Sequence, residues 1–247
     1  MTRPSRWSKK TDELVRYVAL RCRPSFQSEL GGWLESSSRF RDFVVAHQDK
    51  VRKKLTTSDD EEHRQDVRSE LLVAYLVLAD RRFTVALEAY GARRAGPDLS
   101  VTFRTNQHFN LEVTRLRARA DMDEDSGVAR LATVIAGKLR QLPAEVPNAL
   151  VITAHGQALS NETIGGAARL LKLRTETRDD TFFDRRGLRN SRELHAQYLR
   201  LSGVFGLDEA TTPHTLAFVP NREARHPLPA EAVAALSACF CDSGERR

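Results

Sequence analysis

The chain reads as an α/β protein with a mixed central β-sheet flanked by helices and an N-terminal helical extension. Three observations predict this. Helical apolar periodicity dominates the first third. Three β-branched or aromatic runs then follow one another closely. After them, helices alternate with buried strands. With 247 residues and 40% hydrophobic content, the chain can bury one sizeable core. The expected division is residues 1–60 for the helical extension and 61–247 for the α/β domain.

In the extension, "TDELVRYVALRCR" places Leu14, Val15, Val18 and Leu20 on an apolar stripe, with Thr11 or Asp12 as the start. Residues 25–55 carry Phe26, Leu30, Trp33, Leu34, Phe40, Phe43 and Val44, read as two short helices broken near Ser36 to Ser38. "SDDEEHRQDVRSELLVAYLVLAD" is one long helix that opens with Ser58 and acids, as the helix dipole favours.

"RFTVALEAYG", "DLSVTF" and "FNLEVTRL" then form a meander, the last two joined by a turn near Thr105 and Asn106. "DSGVARLATVIAGKLRQLP" is a helix capped by Asp125 or Ser126 and stopped by Pro143. "NALVITAHG" is apolar on both faces, as a central parallel strand is. A helix capped by Ser160 follows, then a basic, partly helical stretch, the strands "GVFGL" and "HTLAFVPN", and a closing amphipathic helix.

Composition narrows the function classes. No apolar run is long enough to cross a bilayer, and "MTRPSRWSKK" has no apolar signal core, so no membrane partner and a cytoplasmic location are expected. Three cysteines without paired spacing predict buried thiols rather than disulfides or a zinc knuckle. The net charge of +6 permits attraction to phosphate backbones. There is no GxSxG elbow, no Gly-rich phosphate loop and no HExxH pattern. The glycine pair in "TIGGAARLL" fits close helix packing better than nucleotide binding.

The chemistry lies in "GPDLSVTFRTNQHFNLEVTR". A hairpin turning near Thr105 and Asn106 sets Asp98 across from Glu112, within a residue of direct opposition. Strand alternation puts Glu112 and Thr114 on one face. Glu70, on the helix feeding the sheet, adds a third oxygen ligand. Such a set of hard oxygens suits Mg2+, with Mn2+ as a substitute. The simpler alternatives are a turn at Gly-Pro-Asp that only starts a strand, and a Glu112 that only pairs with Arg115.

This order of elements, a helix Glu, then "GPD" on one strand and "LEV" on the next, resembles the PD-(D/E)xK (restriction endonuclease-like) nuclease superfamily over residues 62–155. The resemblance implies a metal held by Glu70, Asp98 and Glu112. It also implies hydrolysis of DNA, or less readily RNA, by an endo- or exonuclease, and a homodimer if both strands are cut. The chain departs from the pattern at Thr114, where the superfamily carries a lysine. In some members that lysine has moved to the neighbouring helix, which here offers Lys138 as the residue acting on the water and Gln141 beside it. Otherwise Lys138 is one more exposed helix lysine, and the chain is a catalytically inactive nucleic-acid- or protein-binding module.

Lys53 and Lys54 in "DKVRKKL", with Lys50 and Arg52, and Arg115 and Arg117 in "TRLRAR", with Arg119, are the candidate backbone contacts. The stretch with Arg185, Arg186, Arg189, Arg192 and Tyr198 adds a weaker basic candidate, and His155 and His226 read as structural.

Overall fold

The computed structural model describes residues 7–89, 96–117, 124–156, 159–179, 181–182, 190–211 and 214–241. Five helices come first: α1 (Lys9–Ala19), α2 (Pro24–Ser36), α3 (Ser38–Ala46), α4 (Gln48–Thr56) and α5 (Glu61–Leu78). The meander is β1 (Phe83–Leu87), β2 (Leu99–Phe103) and β3 (Gln107–Arg115). After it come α6 (Glu124–Lys138) with a 3-10 turn at Leu139–Gln141, β4 (Asn148–Ala154), α7 (Asn161–Glu176), α8 (Ser191–Tyr198), β5 (Leu201–Asp208), β6 (Thr215–Pro220) and α9 (Ala230–Cys241).

The six strands form one mixed sheet in sequence order. β1, β2 and β3 pair antiparallel, β3–β4 and β4–β5 pair parallel, and β6 returns antiparallel on β5. The expected mixed sheet flanked by helices is therefore present, and β4 is buried along its whole length between two parallel neighbours.

Alternation sorts the strands' residues between two cores. Phe83, Leu87, Leu99, Val101, Phe103, Phe109, Leu111 and Val113 pack with the first five helices and α9. Leu150, Ile152 and Val204 pack on the other face with α6, α7 and α8. The N-terminal helices thus share one core with the sheet. Phe83, Phe103 and Phe109 form a ring cluster there, with the Phe83 and Phe103 centroids 4.9 Å apart.

Several local expectations need correcting. The 25–55 segment makes three helices, because the chain turns again at His47, whose backbone N–H still caps α3. Ser8 caps α1, so it starts before Thr11. Leu20 is 70% exposed just past the end of α1, and buried Ala19 takes its place. Asp60 caps α5 rather than Ser58. α6 begins at Glu124, so Asp125 and Ser126 lie inside it. Cys22 and Cys239 are buried, but Cys241 is exposed, two residues beyond Cys239 and so on another side of α9.

Two devices fix the elements that carry the candidate site. Arg68 on α5 binds both Glu29 (2.6 Å) and Glu209, and Ser69 Oγ donates to Glu209 Oε1 at 2.7 Å. These bonds pin α5 to the carboxyl end of the sheet just before Glu70. At the other end of β4, Asn148 Nδ2 donates to the Pro143 and Val146 carbonyls, while Oδ1 accepts from Asn110 at 3.0 Å. The segment leaving α6 is thereby tied to β3.

Phe103→Ala should lower stability by about 3–5 kcal/mol, because it opens a cavity among fully buried rings. Denaturant unfolding checks this, and a loss under about 1 kcal/mol would show that the cluster does not hold the meander to the helices.

Candidate metal and catalytic site

The site begins with strand register. β2 and β3 pair Leu99 with Leu111 and Phe103 with Gln107, so the turn is the three residues 104–106, with Arg104 left-handed at φ 57°. One step beyond Leu99, the same register sets Asp98 across from Glu112, and Asp98 Oδ2 accepts from the Val113 N–H at 2.9 Å. β1 pairs Leu87 with Leu99, and the Glu88 N–H donates to the Asp98 carbonyl at 2.9 Å. Glu88, Asp98 and Glu112 therefore form one row across three strands. Glu88 is itself held at φ 46°, an unusual conformation for a residue with a side chain.

Two lysines enter this row from opposite sides of the sheet. From α4, Lys54 Nζ lies 2.5 Å from Glu70, 3.0 Å from Glu88 and 3.5 Å from Asp98. From the end of α6, Lys138 Nζ donates to Glu112 Oε1 at 2.7 Å. Gln141 meets the same carboxylate. With its amide nitrogen turned toward Glu112, it donates to Oε1 at 2.5 Å and Oε2 at 3.3 Å, the orientation that satisfies both amide groups. The 3-10 turn explains the pairing, since residues three apart on such a turn eclipse one another.

Four carboxylates thus face two ammonium groups, and burial, with that excess of acids, sets the titration behaviour. Burial, then the charge of Asp98, raises Glu70 well above the usual carboxylate range against the pull of Lys54. Burial and Asp98 likewise push Glu112 up to about 7, opposed by Lys138. Burial disfavours the charged form of both lysines, but the surrounding acids outweigh it and raise both. The Lys54 ammonium cannot neutralise three carboxylates, so Lys54 and Glu70 shift upward together.

Glu70, Asp98, Glu112, Lys138 and Gln141 are therefore brought together. Thr114 shares the face of Glu112 but carries no charge. Glu112 pairs with Lys138, not Arg115. The four residues assigned to a nucleic-acid backbone divide. Lys53 is exposed on α4. Lys54 corrects the reading of a surface cation: its side chain is 18% exposed and bound among acids. Arg115 reaches Glu62 (2.5 Å) and Asp66 (3.2 Å), and Arg117 reaches the same two residues, so the opening turns of α5 hold both arginines. Arg119, Arg185, Arg186 and Arg189 lie outside the described residues. His155 is exposed beside Arg68 and Glu209 in a 580 Å3 cleft, and His226 is exposed and accepts from Ser202 through its backbone carbonyl.

The oxygen-only donor set, four acids against two ammonium groups, fits Mg2+ or Mn2+ in chemistry, since such an ion would favour the ionised forms of Glu70 and Glu112 that burial disfavours. The spacing is that of acids gathered on an ammonium. Among the described residues, no group of three or more His, Cys, Asp or Glu side chains is placed to hold a metal ion as it stands. No helix among the described residues is long and apolar enough to cross a membrane. Comparison with protein-family models, curated proteins and solved structures gives no match.

Because Glu112 titrates at 4.5 in an unfolded chain and near 7 when folded, the folded protein keeps a proton there that the unfolded chain releases. Its contribution to stability is therefore full below pH 4.5 and lost as pH rises to about 7, on the order of 3 kcal/mol in total. Without divalent ions, Glu112→Gln should remove this part of the pH dependence in denaturant titrations at pH 5, 6, 7 and 8. Parallel curves for parent and variant would refute the assignment.

Proposed function

We propose that the chain is a metal-dependent nuclease hydrolysing phosphodiester bonds, with DNA the preferred substrate over RNA. The observation that carries the reading is the 2.7 Å contact from Lys138 Nζ to Glu112. The strand has a threonine where the PD-(D/E)xK pattern has its lysine, and a lysine from the next helix reaches the same acid.

Glu70, Asp98 and Glu112 are the residues that would hold the ion. A bound divalent ion supplies charge neutralisation at the phosphate and a more acidic water. The chain's own groups do the rest. Lys138, beside a buried carboxylate, stays protonated. It is therefore suited to donating to the attacking water or to a phosphate oxygen, and poorly suited to removing a proton. Gln141, eclipsed with Lys138 on the 3-10 turn, donates to the same Glu112 Oε1 and so braces the carboxylate. The Val113 N–H does the same for Asp98. Exposed Lys53 and the net charge of +6 favour an anionic polymer. A cytoplasmic location and a homodimer acting on two strands belong to the same proposal.

Labelled single- and double-stranded DNA and RNA, incubated with Mg2+ or Mn2+, test the reading. Asp98→Ala should abolish cleavage, and Lys138→Met should slow it by roughly 10²–10⁴-fold. Cleavage that survives Lys138→Met would remove the lysine from the chemistry. Salt-sensitive binding without cleavage by the parent would instead favour an inactive binding module, in which Lys54 permanently fills the acidic row.

A further inference from the structure

Lys54 binds two of the three acids that the proposed reaction needs, Glu70 and Asp98, together with Glu88. Its Nζ is within 3.5 Å of carboxylates from three separate elements: Glu70 on α5, Glu88 at the end of β1 and Asp98 before β2. One turn back on α4, Lys50 Nζ donates to the Leu87 and Glu88 carbonyls at 3.1 and 3.3 Å, which anchors the helix where it enters the site. Val51 and Leu55 are buried on either side, so α4 cannot withdraw without opening the core. The flexible part is the lysine stem, four carbons long.

A divalent ion would be held by carboxylate oxygens at roughly 2.0–2.6 Å. An ammonium sharing those oxygens would stand only a few ångströms from the ion, where like charges repel strongly in a poorly solvated pocket. We propose that Lys54 is a tethered counter-ion occupying the divalent-ion position, so that lysine-bound and metal-bound are competing states of one site. This rests on the reading of Glu70, Asp98 and Glu112 as metal ligands. It gives the N-terminal helices a role in that site: they supply the cation that holds the acids together when no metal is bound. Loading with metal then swings the Lys54 ammonium out toward solvent, while Lys50 keeps α4 in place. Lys138 stays on Glu112, because it holds Oε1 alone and leaves the other carboxylate oxygen to face the ion.

Calorimetric titration of the full chain with MnCl2 tests the proposal without any assay of activity. Lys54→Met should bind Mn2+ at least roughly tenfold more tightly than the parent. Lys53→Met removes the same formal charge from the exposed side of α4 and should change affinity by no more than about twofold. Circular dichroism reports whether the buried substitution folds. If Lys54→Met does not, Lys54→Gln, which keeps a hydrogen-bonding tip, carries the same expectation. Equal or weaker Mn2+ binding by the Lys54 variant of a parent that does bind would overturn the competition and make Lys54 a scaffold for the acids. No Mn2+ binding by the parent or by either Lys54 variant would overturn the metal site itself, and is told apart by that pattern.

Discussion

Four carboxylates and two ammonium groups share one poorly solvated corner of the sheet, and much of the surrounding structure keeps them there. Buried like charges repel unless each is paired or hydrogen-bonded. Here the pairing comes from distant parts of the chain: Lys54 from the helical extension, Lys138 from the crossover helix, and the Val113 N–H from the adjacent strand. The Arg68–Glu209 and Asn148 networks contribute no site atoms. They hold α5 and the exit of α6 in place against the sheet. Burial and crowding hold Glu70 and Glu112 toward their protonated forms; a divalent cation would favour the ionised ones, and the electrostatic case for the proposed chemistry rests on that exchange.

The lysine arrangement separates two jobs. Lys138 meets a single acid, on the strand where the nuclease pattern expects its lysine, and Gln141 braces the same carboxylate. Lys54 meets three acids and none of them is Glu112. Under the proposed reading, the first would act on a substrate beside the acids and the second would occupy the position of an ion among them. An exposed helix lysine would show neither geometry.

How much of this was legible in the sequence depended on how each position was encoded. The β2–β3 register could be counted from a short polar turn, so the opposition of Asp98 and Glu112 could be read directly. Lys138 followed from the resemblance, in which the lysine can move to the neighbouring helix, once Thr114 broke the expected pattern, and helical spacing added Gln141 beside it. Glu88 was missed because the connection from β1 to β2 is long and has no tight-turn signature, which leaves that register uncountable. Lys54 was misplaced for a different reason. Its neighbours Arg52 and Lys53 made "DKVRKKL" look like a solvated face. Yet Val51, Lys54 and Leu55 follow the spacing of a buried stripe, and that was the available signal. Arg115 and Arg117 look like free cations in the sequence because their partners, Glu62 and Asp66, are some fifty residues away. Tertiary pairing of this kind leaves no local trace.

The central claim is that the acidic row is a divalent-ion site, and crystals grown with MnCl2 test it most directly through the anomalous signal of manganese. The account predicts a peak bounded by Glu70, Asp98 and Glu112, with the Lys54 side chain turned away from it and Lys138 still on Glu112. A map with no peak there, and Lys54 still bridging Glu70, Glu88 and Asp98 at saturating Mn2+, would contradict it.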